Sequence, residues 1–187
     1  MKTFLVFPDT LAIQGPQIHH RTITQKYLDK LEQIARKHEI PLIEDCCEAL
    51  GGTHKGRPVG SFGRVGIFAF YPNKQITTGE GGVIVTDDEN LAELCKSLRN
   101  QGRPIERETT ESGVTNRTGS WLTHERLGYN FRLCEINAAL GIAQMERLPE
   151  ILAQRRRVAG LYMQRLMDFP DVILPNIDEP DAMSWFV

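Results

Sequence analysis

The 187-residue chain lacks an excess of charge of either sign: 22 Lys plus Arg stand against 24 Asp plus Glu, a net of −2. General DNA binding needs a basic excess, so nucleic acid is not an expected partner. No apolar run approaches the ~18–20 residues of a membrane helix, so no membrane association is expected either. Cysteine is scarce. Cys46, Cys47, Cys95 and Cys134 form no C-x-x-C pair, which leaves little basis for a thiol-redox site or zinc ribbon. Cys46 and Cys47 are adjacent, a poor arrangement for an ordinary disulfide, and the four read as buried thiols of a reducing compartment. The five histidines show no metal-ligand spacing, His124-Glu125 lacks the second histidine of a zincin, and no metal is expected. Gly56-x-x-x-Gly60-x-x-Gly63 does not have dinucleotide-fingerprint spacing, and Gly79-Glu80-Gly81-Gly82 lacks the Gly-Lys-Ser/Thr of a Walker loop. There is no Gly-x-Ser-x-Gly elbow, no internal repeat and no low-complexity stretch.

What is present is an ordinary globular mix, 41% hydrophobic and 25% charged, which excludes wholesale disorder. Met1 to Phe7 faintly mimics a signal peptide, but Pro8-Asp9 cuts the run short, and the protein reads as cytoplasmic. Residues 1–22 show no clear periodicity, and Gly15-Pro16 and His19-His20 within them read as loop. Thr24 is placed to cap a helix with Leu28, Leu31, Ile34 and Ala35 on one face, ending near His38 before Pro41. Pro41-Leu42-Ile43 reads as a buried strand ending at Glu44-Asp45. Helix followed by buried strand is the rhythm of an α/β domain with parallel strands. Val65–Tyr71 and Val83–Thr86 are further strands, separated by a loop without hydrophobic periodicity. Asp87 or Asp88 caps a helix through Leu98. Residues 100–120 read as an exposed, mobile loop. Helical spacing resumes from Leu133 through Leu148, is interrupted at Pro149, continues to Leu166 and ends before Pro170. Ile173-Leu174 is expected to begin a strand. A boundary between two lobes falls between residues 115 and 132, giving units 1–120 and 121–187.

Two residues stand out for chemistry. Lys74 lies in a Gly- and Thr-rich loop directly after a strand. A lone lysine is by default a solvated charge. Here glycines permit close backbone approach to a ligand, and flanking strands hold the loop. A lysine held that way can act as a Schiff-base nucleophile. Asp45 ends a strand, where ligands gather in α/β folds; it is equally suited to capping the next turn or to holding a cationic ring nitrogen. Glu44 points to the opposite face and does not pair with it as an acid/base dyad. Glu48, three residues on, comes round to the Asp45 side if a helical turn begins at Cys46. Arg155-Arg156-Arg157 reads as the solvated face of a helix.

Three segments together resemble the DegT/DnrJ/EryC1/StrS (sugar) aminotransferases, pyridoxal-phosphate (PLP) enzymes of fold type I. They are Ile43-Glu44-Asp45-Cys46-Cys47-Glu48-Ala49-Leu50-Gly51, then Gly60-Ser61-Phe62-Gly63 leading into Phe68-Ala69-Phe70-Tyr71-Pro72-Asn73-Lys74-Gln75-Ile76-Thr77-Thr78-Gly79-Glu80-Gly81-Gly82, and then Gly128-Tyr129-Asn130-Phe131-Arg132-Leu133. The resemblance runs from about residue 25 to the end. It implies an α/β fold: part of a large PLP-binding domain, mostly parallel sheet with flanking helices, followed by helices opening a smaller C-terminal domain. It implies that Lys74 carries PLP covalently, that Asp45 partners the pyridine nitrogen, and that Glu48 lies near the ring where the family often has Gln or His. Asn130 matches an asparagine that reaches the cofactor phosphate of the neighbouring subunit, which implies a homodimer with shared active sites. Ala69 departs from the serine that binds the phosphate in many members. The implied reaction moves an amino group, usually from L-glutamate, to the keto group of a nucleotide-linked sugar.

Members are roughly twice this length. The expectation is a chain without the N-terminal part of the large domain, including the segment that binds the phosphate, and without most of the small domain. An alternative reading is therefore a catalytically inactive remnant that only dimerises with an intact subunit. A second alternative is a relative that uses PLP for dehydration; such members carry His in place of the lysine, and Lys74 argues against it.

Overall fold

A computed structural model of the protein describes residues 3–7, 23–104, 123–175 and 183–185. The first described segment, β1 (Thr3–Phe7), is a strand whose apolar residues resemble a leader in sequence. After it come α1 (Ile23–Lys37) and β2 (Ile43–Asp45). The helix starts at Ile23, so Thr24 lies within it and is not its cap. Leu28 is its buried anchor, whereas Ile34 is more than half exposed. Arg36 and Lys37 close the last turn, where positive charge complements the helix dipole. Glu39 takes a left-handed φ of 53° while Ile40 N–H bonds back to the Ala35 carbonyl at 2.9 Å. This is a Schellman-type stop, and Pro41 follows it.

A short hairpin, β3 (Thr53–His54) with β4 (Arg57–Pro58), turns at Lys55-Gly56. Both turn residues have positive φ, 51° and 74°, as a type I′ turn requires. Strands β5 (Val65–Ala69) and β6 (Gly82–Thr86) complete a four-stranded sheet in the order β1-β6-β5-β2. The β2–β5 pair is parallel, in register Ile43↔Val65, Glu44↔Gly66 and Asp45↔Ile67. The β5–β6 and β1–β6 pairs are antiparallel. The described part of the sheet is thus mixed, because β5 returns through a loop without the helical crossover that a parallel neighbour needs. β2 is less buried than its sequence implies: Ile43 is 61% exposed and Glu44 only 3%.

Asp88, not Asp87, caps α2 (Glu89–Arg99), its Oδ1 accepting from Leu91 N–H at 3.0 Å. Residues 100–104 are tied down, in contrast to the mobile loop expected. Gly102 N–H bonds the Ser97 carbonyl, and the returning chain packs so closely that a Cβ on Gly102 would lie 1.8 Å from the Arg126 carbonyl oxygen. The rest of that expected loop, 105–120, and the loop expected at Gly15-Pro16 and His19-His20 lie outside the described residues. Helices α3 (Glu135–Glu146) and α4 (Leu148–Leu166) follow, and Pro149 sits in the first turn of α4 and not between the helices. Proline there costs no hydrogen bond, since first-turn N–H groups have no helical partner. Ile173 and Leu174 form no strand, and Ile173 is 97% exposed.

The core gathers Cys46, Val59, Phe68, Phe70, Ile76 and Val83 under the turn after β2 and the hairpin, with Leu148 and Ile151 packed against it. All four cysteines are free. Burial, with the Glu44 and Asp45 carboxylates adding to it, pushes the Cys46 thiol far above its ordinary value; burial alone raises Cys95. Cys134 is exposed, contrary to the expectation of four buried thiols. Among the described residues no helix is long and apolar enough to cross a membrane.

Candidate active site

Parallel pairing brings the carboxyl ends of β2 and β5 side by side. Asp45 pairs with Ile67 across the ladder, and Cys46 N–H bonds the Ile67 carbonyl at 2.8 Å. Asp45 Oδ1 accepts from Cys47 N–H at 3.1 Å, which fixes the carboxylate at the start of the turn. The chain comes round at Ala49, whose N–H bonds the Cys46 carbonyl. This places Glu48 beside the loop leaving β5, where its Oε1 faces Lys74 Nζ at 3.6 Å. Both side chains are largely sheltered, 22% and 15% exposed.

The Lys74 loop is closed by its own main chain. Phe70 N–H bonds the Gly81 carbonyl, Thr78 N–H bonds the Phe70 carbonyl, and Lys74 N–H bonds the Tyr71 carbonyl. Thr77 and Thr78 hydroxyls donate to the Phe70 and Glu80 carbonyls. Gly79, at φ 81°, makes the left-handed turn that lets the strand return. Gln75, Ile76 and Thr78 are buried, so the loop is anchored directly after the lysine, while Tyr71, Pro72 and Asn73 before it are exposed.

Three contributors to this region escaped the sequence reading. Glu44 does point away from Asp45, but its buried carboxylate accepts three backbone N–H bonds: Gly60 at 2.8 Å, Phe62 at 2.6 Å and Gly63 at 2.7 Å. Period-two alternation beside a glycine loop rich in free amides was the available signal. Gln75 Nε2 donates to the Glu48 carbonyl at 2.8 Å and to Ser184 Oγ at 2.9 Å. Arg155, expected on a solvated face, donates to the Lys74 carbonyl at 2.9 Å and the Trp185 carbonyl at 3.2 Å. Its spacing from Leu148 and Ile151, seven and four residues, puts it on the helix face that meets the core. Arg156 and Arg157 are exposed as expected.

Asn130 is exposed, in a bridge with Asn100 just beyond the end of α2. Arg132 donates to Asn100 Oδ1 at 2.8 Å in the same corner. Ala69 ends β5 opposite Gly82 and is buried, so no hydroxyl is offered there to a phosphate. A second concavity of about 870 Å³ lies between the sheet and α3, lined by Val59, Phe68, Val83, Val85, Ala138 and Ile142 among others. It is apolar and includes none of Lys74, Asp45 or Glu48. Among the described residues no three His, Cys, Asp or Glu side chains converge to hold a metal ion.

A sheltered primary amine and two carboxylates at neighbouring strand ends are the donor set that a pyridinium aldehyde such as PLP requires, so the residues present fit that cofactor. Gln75 Oε1 and Trp185 Nε1 are buried there without a hydrogen-bond partner, which leaves polar capacity at the edge of the site.

An α/β layer with an anchored lysine loop at its carboxyl edge defines the class: a fold-type I domain, present in part. Residues 24–187 match the DegT/DnrJ/EryC1/StrS aminotransferase family, and the chain belongs to it. GDP-perosamine synthase of Caulobacter vibrioides is 39% identical over 162 residues, 87% of this chain and 39% of that protein. The solved structure of Helicobacter pylori PseC, an aminotransferase of pseudaminic acid biosynthesis, is 33% identical with a TM-score of 0.64, over 76% of this chain and 36% of PseC. The Escherichia coli GDP-4-keto-6-deoxy-D-mannose-3-dehydratase, solved with bound hydrated PLP, is 31% identical with a TM-score of 0.71, over 85% of this chain and 41% of that one. The chain spans about two fifths of the length of these relatives.

Proposed function

We propose that this chain carries the cofactor-bearing part of a cytoplasmic, PLP-dependent aminotransferase. In this reading the enzyme moves an amino group from L-glutamate to the keto group of a nucleotide-linked sugar. The observation that supports it most directly is the Lys74–Glu48 ion pair at 3.6 Å, at the carboxyl edge where Asp45 also ends its strand. Bound PLP supplies an electron sink for the donor's α-carbon. Lys74 would be the residue that holds the cofactor through its amine, and with that amine released its Nζ would be placed to carry the proton removed from the donor α-carbon. Asp45 stabilises the protonated ring nitrogen, because a carboxylate beside a cation favours the charged form. Glu48 orients the lysine amine by the ion pair. Asn130 serves the phosphate of a neighbouring subunit in a homodimer. With alanine at position 69, the phosphate in this chain's own site depends on backbone amides or on other residues. Units 1–120 and 121–187 correspond to the large domain and to the helices that lead into the small one.

Adding PLP and reducing with borohydride tests the reading. The expected result is a visible absorbance band and stable labelling that peptide mapping assigns to Lys74. Labelling spread over surface lysines, with Lys74 unmodified, overturns it. Loss of the band on adding L-glutamate supports amino transfer. A protein that removes a sugar hydroxyl without accepting the amine belongs with the dehydrating relatives instead.

A further inference from the structure

Lys74 and Glu48 face each other through their side chains, but their main chains are held by a shared knot. The Glu48 carbonyl accepts from Gln75 Nε2 at 2.8 Å and from Ser184 Oγ at 3.2 Å. Gln75 Nε2 also donates to Ser184 Oγ at 2.9 Å. The next residue, Trp185, gives its carbonyl to Arg155 Nη1, and Arg155 Nη2 reaches the Lys74 carbonyl at 2.9 Å. The path of bonds therefore runs from the turn after β2, through segment 183–185, to α4 and back to the lysine loop. Gln75 and Ser184 are buried, 3% and 5% exposed, so water competes little for these bonds. Arg155 is the cationic member of the knot, and it joins α4 to the lysine loop across 81 positions.

We infer that Arg155 is a positioning residue: it holds the main chain at Lys74 and thereby sets where the lysine amine lies relative to Glu48. This rests on the reading of Lys74 as the amine that takes the cofactor. The planar guanidinium is suited to the task because it serves two carbonyls at once in a fixed fork, which a lysine ammonium cannot do as rigidly. Charge-assisted bonds of this kind are roughly twice as strong as neutral ones. A displacement of only about 1 Å at a reacting group costs on the order of a hundredfold in rate, so a main-chain clamp one residue's reach from the amine matters.

The test compares Arg155→Met and Arg155→Lys with the parent in the intact protein, without cofactor. Acetic anhydride labels the lysines at fixed pH, and peptide mass spectrometry gives the rate at Lys74 relative to exposed Lys55. Amide exchange is read over residues 73–77, and thermal unfolding over the whole protein. For Arg155→Met the Lys74:Lys55 ratio should rise about tenfold, the scale of one lost charge-assisted bond, with faster exchange confined to 73–77 and to 183–185. Arg155→Lys should fall between the two. A lower melting temperature with an unchanged ratio and no local gain in exchange indicates a purely structural role and overturns the inference. If Arg155→Met does not fold, Arg155→Lys decides: a ratio about threefold above the parent's supports the inference, and a ratio equal to the parent's overturns it. Borohydride trapping of PLP on the parent is scored separately. Its failure counts against the proposed function and leaves the labelling ratio interpretable.

Discussion

The lysine loop and the apolar concavity touch each other through Ile76 and Thr78, which belong to both, yet they are built on opposite rules. Around Lys74 the region is polar and bonded: main-chain carbonyls meet Arg155, Gln75 and Ser184, and the amine meets a carboxylate, with Gln75 Oε1 and Trp185 Nε1 left over. Between the sheet and α3 the walls are Phe68, Val83, Val85 and Ile142, around a space of about 870 Å³. Volume therefore marks where apolar surface is uncovered. The candidate chemistry is marked instead by convergence of polar groups at strand ends. α3 repeats the contrast, with Ile136 82% and Ile142 64% exposed while Gly141 alone is buried against Thr78.

Substitutions can break or sharpen this contrast. The largest effect is expected for Lys74→Ala, which should abolish borohydride-fixed PLP while changing unfolding free energy by no more than about 1 kcal/mol, the usual worth of a part-exposed ion pair. At the border, Ile76→Ala removes a side chain that is 1% exposed and should cost about 2–5 kcal/mol in urea unfolding, since it enlarges a cavity already present. A cost below about 1 kcal/mol would show that the two regions are not mechanically joined there. Behind the site, Glu44→Gln replaces an acceptor of three N–H groups with a side chain that must turn an NH₂ toward donors; a loss of about 2–3 kcal/mol is expected. At the start of α2, Asp88→Ala should cost about 1 kcal/mol by removing the helix cap, and it serves as the control.

Acid gives the smallest effect. The Leu91 backbone bond and Arg64 hold the Asp88 carboxyl below its ordinary value of 3.8; Lys55 and His54 do the same for Asp29. Their folded values are lowered, so the stability they contribute is complete above the unfolded value. It is lost as pH falls through the folded values. A urea midpoint that is flat from neutral pH to about 5 and declines below about 4 is expected, with the decline reduced in Asp88→Ala.

Part of this candidate site was legible in one dimension because the signals for its residues are local. Asp45, Glu48 and Lys74 were placed by strand ends and by a glycine loop, local features that backbone sterics impose. The alternation that separates Glu44 from Asp45 was equally readable, but its consequence was not. That a carboxylate facing away from the site would anchor residues 60–63 depends on how the chain returns sixteen to nineteen residues later. Arg155 was misjudged because a triplet of arginines looks solvated until α4 is packed on the core. Thr3–Phe7 was not legible as a sheet strand, because β6, with which it pairs, begins some seventy-five residues further on.

The sequence by itself determined the α/β character, the family and the lysine loop, since turn chemistry, hydrophobic period and short motifs are properties of neighbouring residues. Only the tertiary structure decided that Glu48 meets Lys74, that β6 runs against β5, and that Gln75, Ser184 and Arg155 close one knot around both main chains. Those bonds join residues 27, 81 and 109 positions apart. Such bonds form only after loop-closure entropy has been offset by burying the core, and no local pattern records them.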